Sequence, residues 1–230
     1  ILWRLVRESD AINQPAYLSL LLNNGTYLRW SDSQIDDLRT LIVPTHLDSV
    51  GWEFANLLYN QDRHSESIEL FDKLWPSNPI KACEYSNTFL TLYSNANRLD
   101  DLVNRIRIQQ NAANADPFSL MVLEITLLEE SNKGEEALAS LEEFILNRMG
   151  LGQSPATERM ISTIPSILLD RWIDLLARHR GNQPAIQMLA NILQVVPMDL
   201  QRRKKLADFL MKEGRLNDAV QLWDDWAQSQ

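Results

Sequence analysis

Histidine, cysteine and clustered carboxylates are the side chains here that could do chemistry, and their spacing works against it. His46, His64 and His179 lie far apart. No two of them have the one-turn separation that lets a pair of imidazoles hold a metal on one helix face. Cys83 is the single cysteine, so neither an internal disulfide nor a thiolate zinc set can form within the chain. Its apolar neighbours read as packing rather than as the setting of a nucleophile. HExxH, CxxC, GxGxxG and GxxxxGK(S/T) are all missing. Gly150 and Gly152 alone do not build a phosphate cradle. The expectation is a protein that is not an enzyme and has no cofactor and no metal.

Two charge features remain. Residues 118–147 carry Glu124, Glu129, Glu130, Glu135, Glu136, Glu142 and Glu143 against Lys133. Arg202, Arg203, Lys204 and Lys205 form a basic run, with Lys212 and Arg215 beyond it. Each reads either as a solvated helix face or as one end of a protein-binding surface. The net charge of −9 and sequence pI of about 4.9 argue against nucleic acid or an anionic membrane as partner. Asn24-Gly25-Thr26 matches a glycosylation sequon and is read as a turn.

No apolar run approaches the roughly 18 residues that span a bilayer, so direct membrane insertion is not expected. ILWRLV at the start is too short for the core of a secretory signal. Because residue 1 is Ile, the chain is expected to be a processed or excised piece. A soluble protein of cytoplasm or periplasm, or part of a longer membrane-attached one, fits these features.

The elements that must position these side chains read as helices throughout. Seven glycines in 230 residues and no β-turn clusters point to an all-α fold. Helices are expected near Pro15–Asn23 and Ser33–Ile42, the second capped by Ser31 or Asp32. From residue 48 the apolar spacing sharpens into five helical hairpins. Trp52, Ala55, Leu58 and Tyr59 stripe the first helix of the first pair, and Ser67, Ile68, Phe71 and Leu74 the second. Further pairs follow over 80–116, 117–149, 165–197 and 200–230, with turns expected at Lys133-Gly134 and Gly214. Residues 150–164 break the spacing and read as an inserted loop and short helix. The division is therefore 1–47, with N-terminal helices that stand alone or form a degenerate repeat; 48–149, with three hairpins; the insertion at 150–164; and 165–230, with two more.

Ser67, Leu102, Ala137, Ala185 and Ala219 recur at intervals of 35, 35, 48 and 34 residues. Each lies twelve residues after a partner on the preceding helix: Ala55, Leu90, Ile125, Ile173 and Ala207. With Phe71, Ile106, Leu141, Leu189 and Trp223 four further on, residues 48–230 resemble the tetratricopeptide repeat, a helical hairpin of about 34 residues. The glycine usual on the first helix of that family is absent throughout. The resemblance implies a right-handed α–α superhelix whose first helices line a concave groove.

It also implies a groove that binds a segment of another protein. The matching positions are Trp52, Asn56 and Tyr59, then Asn87, Thr91 and Ser94, then Val122, Thr126 and Glu129. Asp170 and Asp174 follow, with Lys204, Asp208 and Lys212 in the last unit. Asn56 stands where peptide-clamping members place a backbone-holding asparagine, but the cations of a carboxylate clamp gather only in the last unit. The resemblance thus implies a non-catalytic adaptor. The alternatives are a structural module of a bacterial envelope, secretion or polysaccharide-export assembly and, disfavoured by charge, a helical-repeat RNA binder. Within the last hairpin, Ala219 is expected to be closely packed with Trp223 buried behind it. Some apolar surface, including part of Trp226 or Leu222, is expected to stay uncovered there, to be met by further chain or by a second copy in a homodimer.

Overall fold

The computed structural model describes residues 2–10, 13–25, 30–42, 46–148 and 164–228, and all regular structure among them is helical. The early helices are α1 (Leu2–Glu8), α2 (Gln14–Gly25) and α3 (Asp32–Leu41). They are followed by α4 (Leu47–Asn60), α5 (His64–Leu74), α6 (Pro79–Glu84), α7 (Ser86–Asn95) and α8 (Leu99–Gln109). Then come α9 (Pro117–Glu130), α10 (Gly134–Arg148), α11 (Ser166–His179), α12 (Asn182–Val195), α13 (Leu200–Lys212) and α14 (Leu216–Gln228). The expected insertion at 150–164 lies, except for its last residue, outside the described residues.

Helix starts follow local chemistry. Ser31 caps α3 in a full capping box: its hydroxyl accepts from the Gln34 amide while the Gln34 side chain accepts from the Ser31 amide. Asn78 caps α6, with Pro79 in the first turn where its missing N–H costs nothing. Asp116 accepts from the amides of Phe118 and Ser119 at the head of α9. Asp199 does the same for Arg202 at the head of α13.

Four hairpin turns share one backbone device. Asp62, Asn97, Asn132 and Gly214 all have positive φ. In each case the next amide reaches back five residues: Arg63 to Leu58, Arg98 to Tyr93, Lys133 to Leu128 and Arg215 to Leu210, at 2.7–2.9 Å. This is the left-handed helix stop that satisfies otherwise orphaned carbonyls, and Asn and Asp tolerate it better than other residues with a Cβ. In the third turn the left-handed residue is Asn132, not Gly134. Gly134 begins α10 instead, and its lack of a Cβ admits the ring of His179 from α11.

The twelve-residue register puts small groups where helices touch. The Ser67 hydroxyl, fully buried, donates to the Ala55 carbonyl at 2.7 Å and stitches α5 to α4. Ala137, Ala185, Ala207 and Ala219 are buried as well. Leu90 is half-buried rather than core, and α7 packs on α8 less extensively than α4 on α5. That agrees with leucines standing at 90 and 102 where other pairs hold small residues.

Two further features depart from the sequence reading. The first helix of the second pair is broken at Tyr85 into α6 and α7. Trp223 is not buried behind Ala219 but 36% exposed; α14 turns a different edge of its apolar stripe toward α13.

The chain divides into two compact units, Ile1–Leu123 and Glu124–Gln230, the division falling inside α9. In the first, α1 packs on α2, α2 on α4, α4 on α5, and α7 on α4, α5 and α8. In the second, α10 packs on α11, α11 on α12, α12 on α13 and α13 on α14. No helix among the described residues is long and apolar enough to cross a membrane.

Candidate protein-binding surface

In the first unit the expected contact residues of α4 and α7 separate by burial. Trp52 is 1% exposed: its ring stacks on Tyr85 at 5.5 Å and meets Phe71 and Phe89 at 5.9 and 6.5 Å. It is a core residue. Val122, also in this unit, is buried. Asn56 is half-buried and its carbonyl oxygen accepts from Thr88 at 3.4 Å, joining α4 to α7. Among the described residues the Asn56 amide nitrogen has no partner. Tyr59 is half-buried beside His64.

On α7, Asn87, Thr91 and Ser94 are exposed at i, i+4 and i+7 and therefore share a face. The Thr91 hydroxyl donates to the Asn87 carbonyl within the helix. The result is an uncharged surface of amides and hydroxyls. At its edge Lys81 reaches a Glu53 oxygen at 3.4 Å, while the other Glu53 oxygen is buried without a hydrogen bond. Burial, and then the charges of Glu53 and Glu84, push the Tyr85 hydroxyl up to about 12.

In the second unit the expected contact residues mostly serve the fold. Thr126 is buried. Glu129 on α9 is gripped by Arg171 and Arg178 of α11, both at 2.7 Å. Asp170 on α11 receives Arg202 of α13 at 3.2 Å, and Asp174 receives Lys205 at 2.8 Å. These ion pairs run α9 to α11 to α13 like rungs. Asp208 is half-buried; Lys204 and Lys212 are exposed, with Lys212 lying over the Phe209 ring.

The basic run accordingly comes apart. Arg202 is buried against Asp170, Asp199 and the Ser166 hydroxyl. Arg203 is buried and donates to the carbonyls of Leu222 and Pro197. The acidic stretch is mixed too: Glu124 is fully buried and accepts from Ser140 at 2.5 Å, tying α10 to α9.

Further features escaped the sequence reading. Asp72 on α5 collects the Tyr93 hydroxyl at 2.5 Å, Arg105 at 2.9 Å and Arg98 at 3.2 Å, pinning α5, α7 and α8 together. A cleft of about 430 Å³ in the first unit is lined by Ile42, Leu47, Phe54, Leu58 and Leu70 together with Arg39, Glu66, Glu69 and Lys73. Of the histidines, His46 is buried with Nδ1 3.3 Å from the Leu41 carbonyl, and His179 sits against Gly134. Cys83 is half-buried on α6, its thiol 3.4 Å from the Pro79 carbonyl. Among the described residues no three His, Cys, Asp or Glu side chains converge as a metal site requires.

The chain matches no protein-family model and no curated protein sequence.

Proposed function

We propose that this chain is a non-catalytic adaptor of tetratricopeptide-like helical hairpins. It holds an extended segment of another protein along α4 and α7 of its first unit. The observation that supports this is the division of labour between polar faces. The carboxylates Glu129, Asp170 and Asp174 spend their charge on neighbouring helices, whereas Asn56, Asn87, Thr91 and Ser94 form a neutral, hydrogen-bonding strip. Side-chain amides on a rigid helix suit a peptide backbone, which presents donors and acceptors in alternation. Ordering costs are small, because Asn56 is already held by Thr88 and Thr91 by its own helix. The recurring left-handed turns at 62, 97 and 132, 35 residues apart, support the repeat reading. Such repeats stack into a superhelix in this family.

Affinity capture from the source cell tests the reading. Wild type is compared with Asn56→Ala/Asn87→Ala/Thr91→Ala, whose substitutions lie outside the core. The variant should lose the partner retained by the wild type. An identical set of retained proteins would refute the α4–α7 site.

A further inference from the structure

The last hairpin, α13–α14, leaves one long face open. On α14, Leu216 and Val220 are each 60% exposed and Trp223 is 36% exposed. They stand at i, i+4 and i+7 and form a stripe, while Ala219 beside it is buried. On α13 and the residues before it, Met198, Leu200 and Met211 are exposed too. Isolated exposed apolar side chains need no explanation, but a contiguous stripe of this kind marks an interface.

The charges on this face indicate what covers it. Lys205 is paired with Asp174, and Arg215 with Asp218; Asp225 accepts from Gln221. Lys204 on α13 and Asp224 on α14 are exposed and, among the described residues, have no ion-pair partner. On helical spacing Lys204 falls between Leu200 and Met211, and Asp224 borders Val220 and Trp223. Lys204 is four residues from the start of α13 and Asp224 four from the end of α14. At 1.5 Å rise per residue, both lie about 6 Å from the same end of this antiparallel pair.

We infer that this face joins two copies of the chain about a twofold axis parallel to α13 and α14. Such an axis preserves height along the helices. It lays each α13 antiparallel on the α14 of the second copy and brings each Lys204 against Asp224 of that copy. Leu200 then meets the region of Trp223 across the axis, and Met211 meets Leu216 and Val220. The arrangement is an antiparallel four-helix bundle with an isologous interface. A twofold axis perpendicular to the helices would instead set Lys204 toward the α13 and Asp224 toward the α14 of the other copy, so these two charges would not meet. This surface is separate from α4 and α7, so its test is independent of the adaptor reading.

Light scattering and sedimentation on residues 1–230 test it, with circular dichroism as the check of fold. Wild type should show twice the 26.5 kDa of one chain at high micromolar concentration. Val220→Glu, a substitution at an exposed site, should be folded and monomeric. Lys204→Glu sets two acidic groups together and should weaken the dimer about tenfold or more; Lys204→Glu/Asp224→Lys should restore it. A wild type that stays monomeric, including one whose Trp223 is already shielded from solvent by the chain itself, overturns the proposal. So does a dimer indifferent to Val220→Glu, or one that the double reversal fails to restore.

Discussion

Replacing Tyr93 by Phe removes one oxygen from the first unit and leaves its shape intact. Tyr93 is fully buried, and its hydroxyl donates to Asp72 at 2.5 Å. A hydrogen bond to a charged group contributes about 1.5–3 kcal/mol net. The carboxylate would still be served by Arg105 and Arg98, so the loss should fall near the middle of that range, about 2 kcal/mol. The pH dependence gives a second reading of the same bond. Burial alone would raise the Asp72 carboxyl, but hydrogen bonds from Arg105 and Tyr93 and the two guanidinium charges outweigh it and hold the group below its ordinary 3.8. Its stabilisation is therefore present above that pH and fades as the solution is acidified below it. Tyr93 has the opposite sign: burial, then the bond to Asp72 and its charge, hold the hydroxyl well above its ordinary 10.0. Wild type should lose stability as pH rises past that value, where the unfolded tyrosine ionises and the folded one does not. Urea denaturation of wild type, Tyr93→Phe, Asp72→Asn and the double variant at neutral pH, repeated at pH below 3.8 and above 10, measures both effects. A single-variant loss below about 0.5 kcal/mol, or a Tyr93→Phe alkaline limb as steep as wild type, would show that the network does not hold α5 to α7.

Two other sites follow the same logic. Arg202→Ala removes a buried cation and leaves Asp170 and Asp199 facing each other without it; a loss of about 3 kcal/mol is expected, and unchanged urea denaturation would mean the rung between α11 and α13 does not bear on stability. Gly134→Ala places a Cβ inside the His179 ring and should lower the melting temperature, with His179→Ala restoring part of the loss; a Gly134→Ala protein as stable as wild type would show that α10 and α11 adjust freely.

The hairpin limits were legible because they depend on near neighbours. Apolar spacing marked α4, α5 and α9 to α14, Ser31 announced its cap, and Pro117 and Pro165 fell at helix starts. The intervals between Ala55 and Ser67 and between Ala207 and Ala219 carried the register, because small residues there permit close approach. What stayed hidden depends on partners distant in sequence. Arg171 and Glu129 lie 42 residues apart and Arg202 and Asp170 lie 32 apart, so neither pair is visible as a local pattern, and the basic run looked like a surface patch. The break at Tyr85 has no glycine or proline within α7 to announce it; stacking of Tyr85 on Trp52 accompanies it. Trp52 was read as a contact residue because tryptophan serves cores and interfaces equally well. Trp223 was misplaced because the apolar stripe on α14 is broad, and periodicity does not say which edge of it faces α13.

Site-specific photo-crosslinking puts the adaptor reading to its most direct test. A photoreactive side chain is placed either at Thr91 on α7 or at Asn104 on α8, both exposed positions of the first unit. Each variant is irradiated in the presence of the partner that wild type captures. Covalent capture from position 91, with little or none from position 104, is the expected result. Capture from position 104 with none from 91 would contradict the assignment of the binding face to α4 and α7.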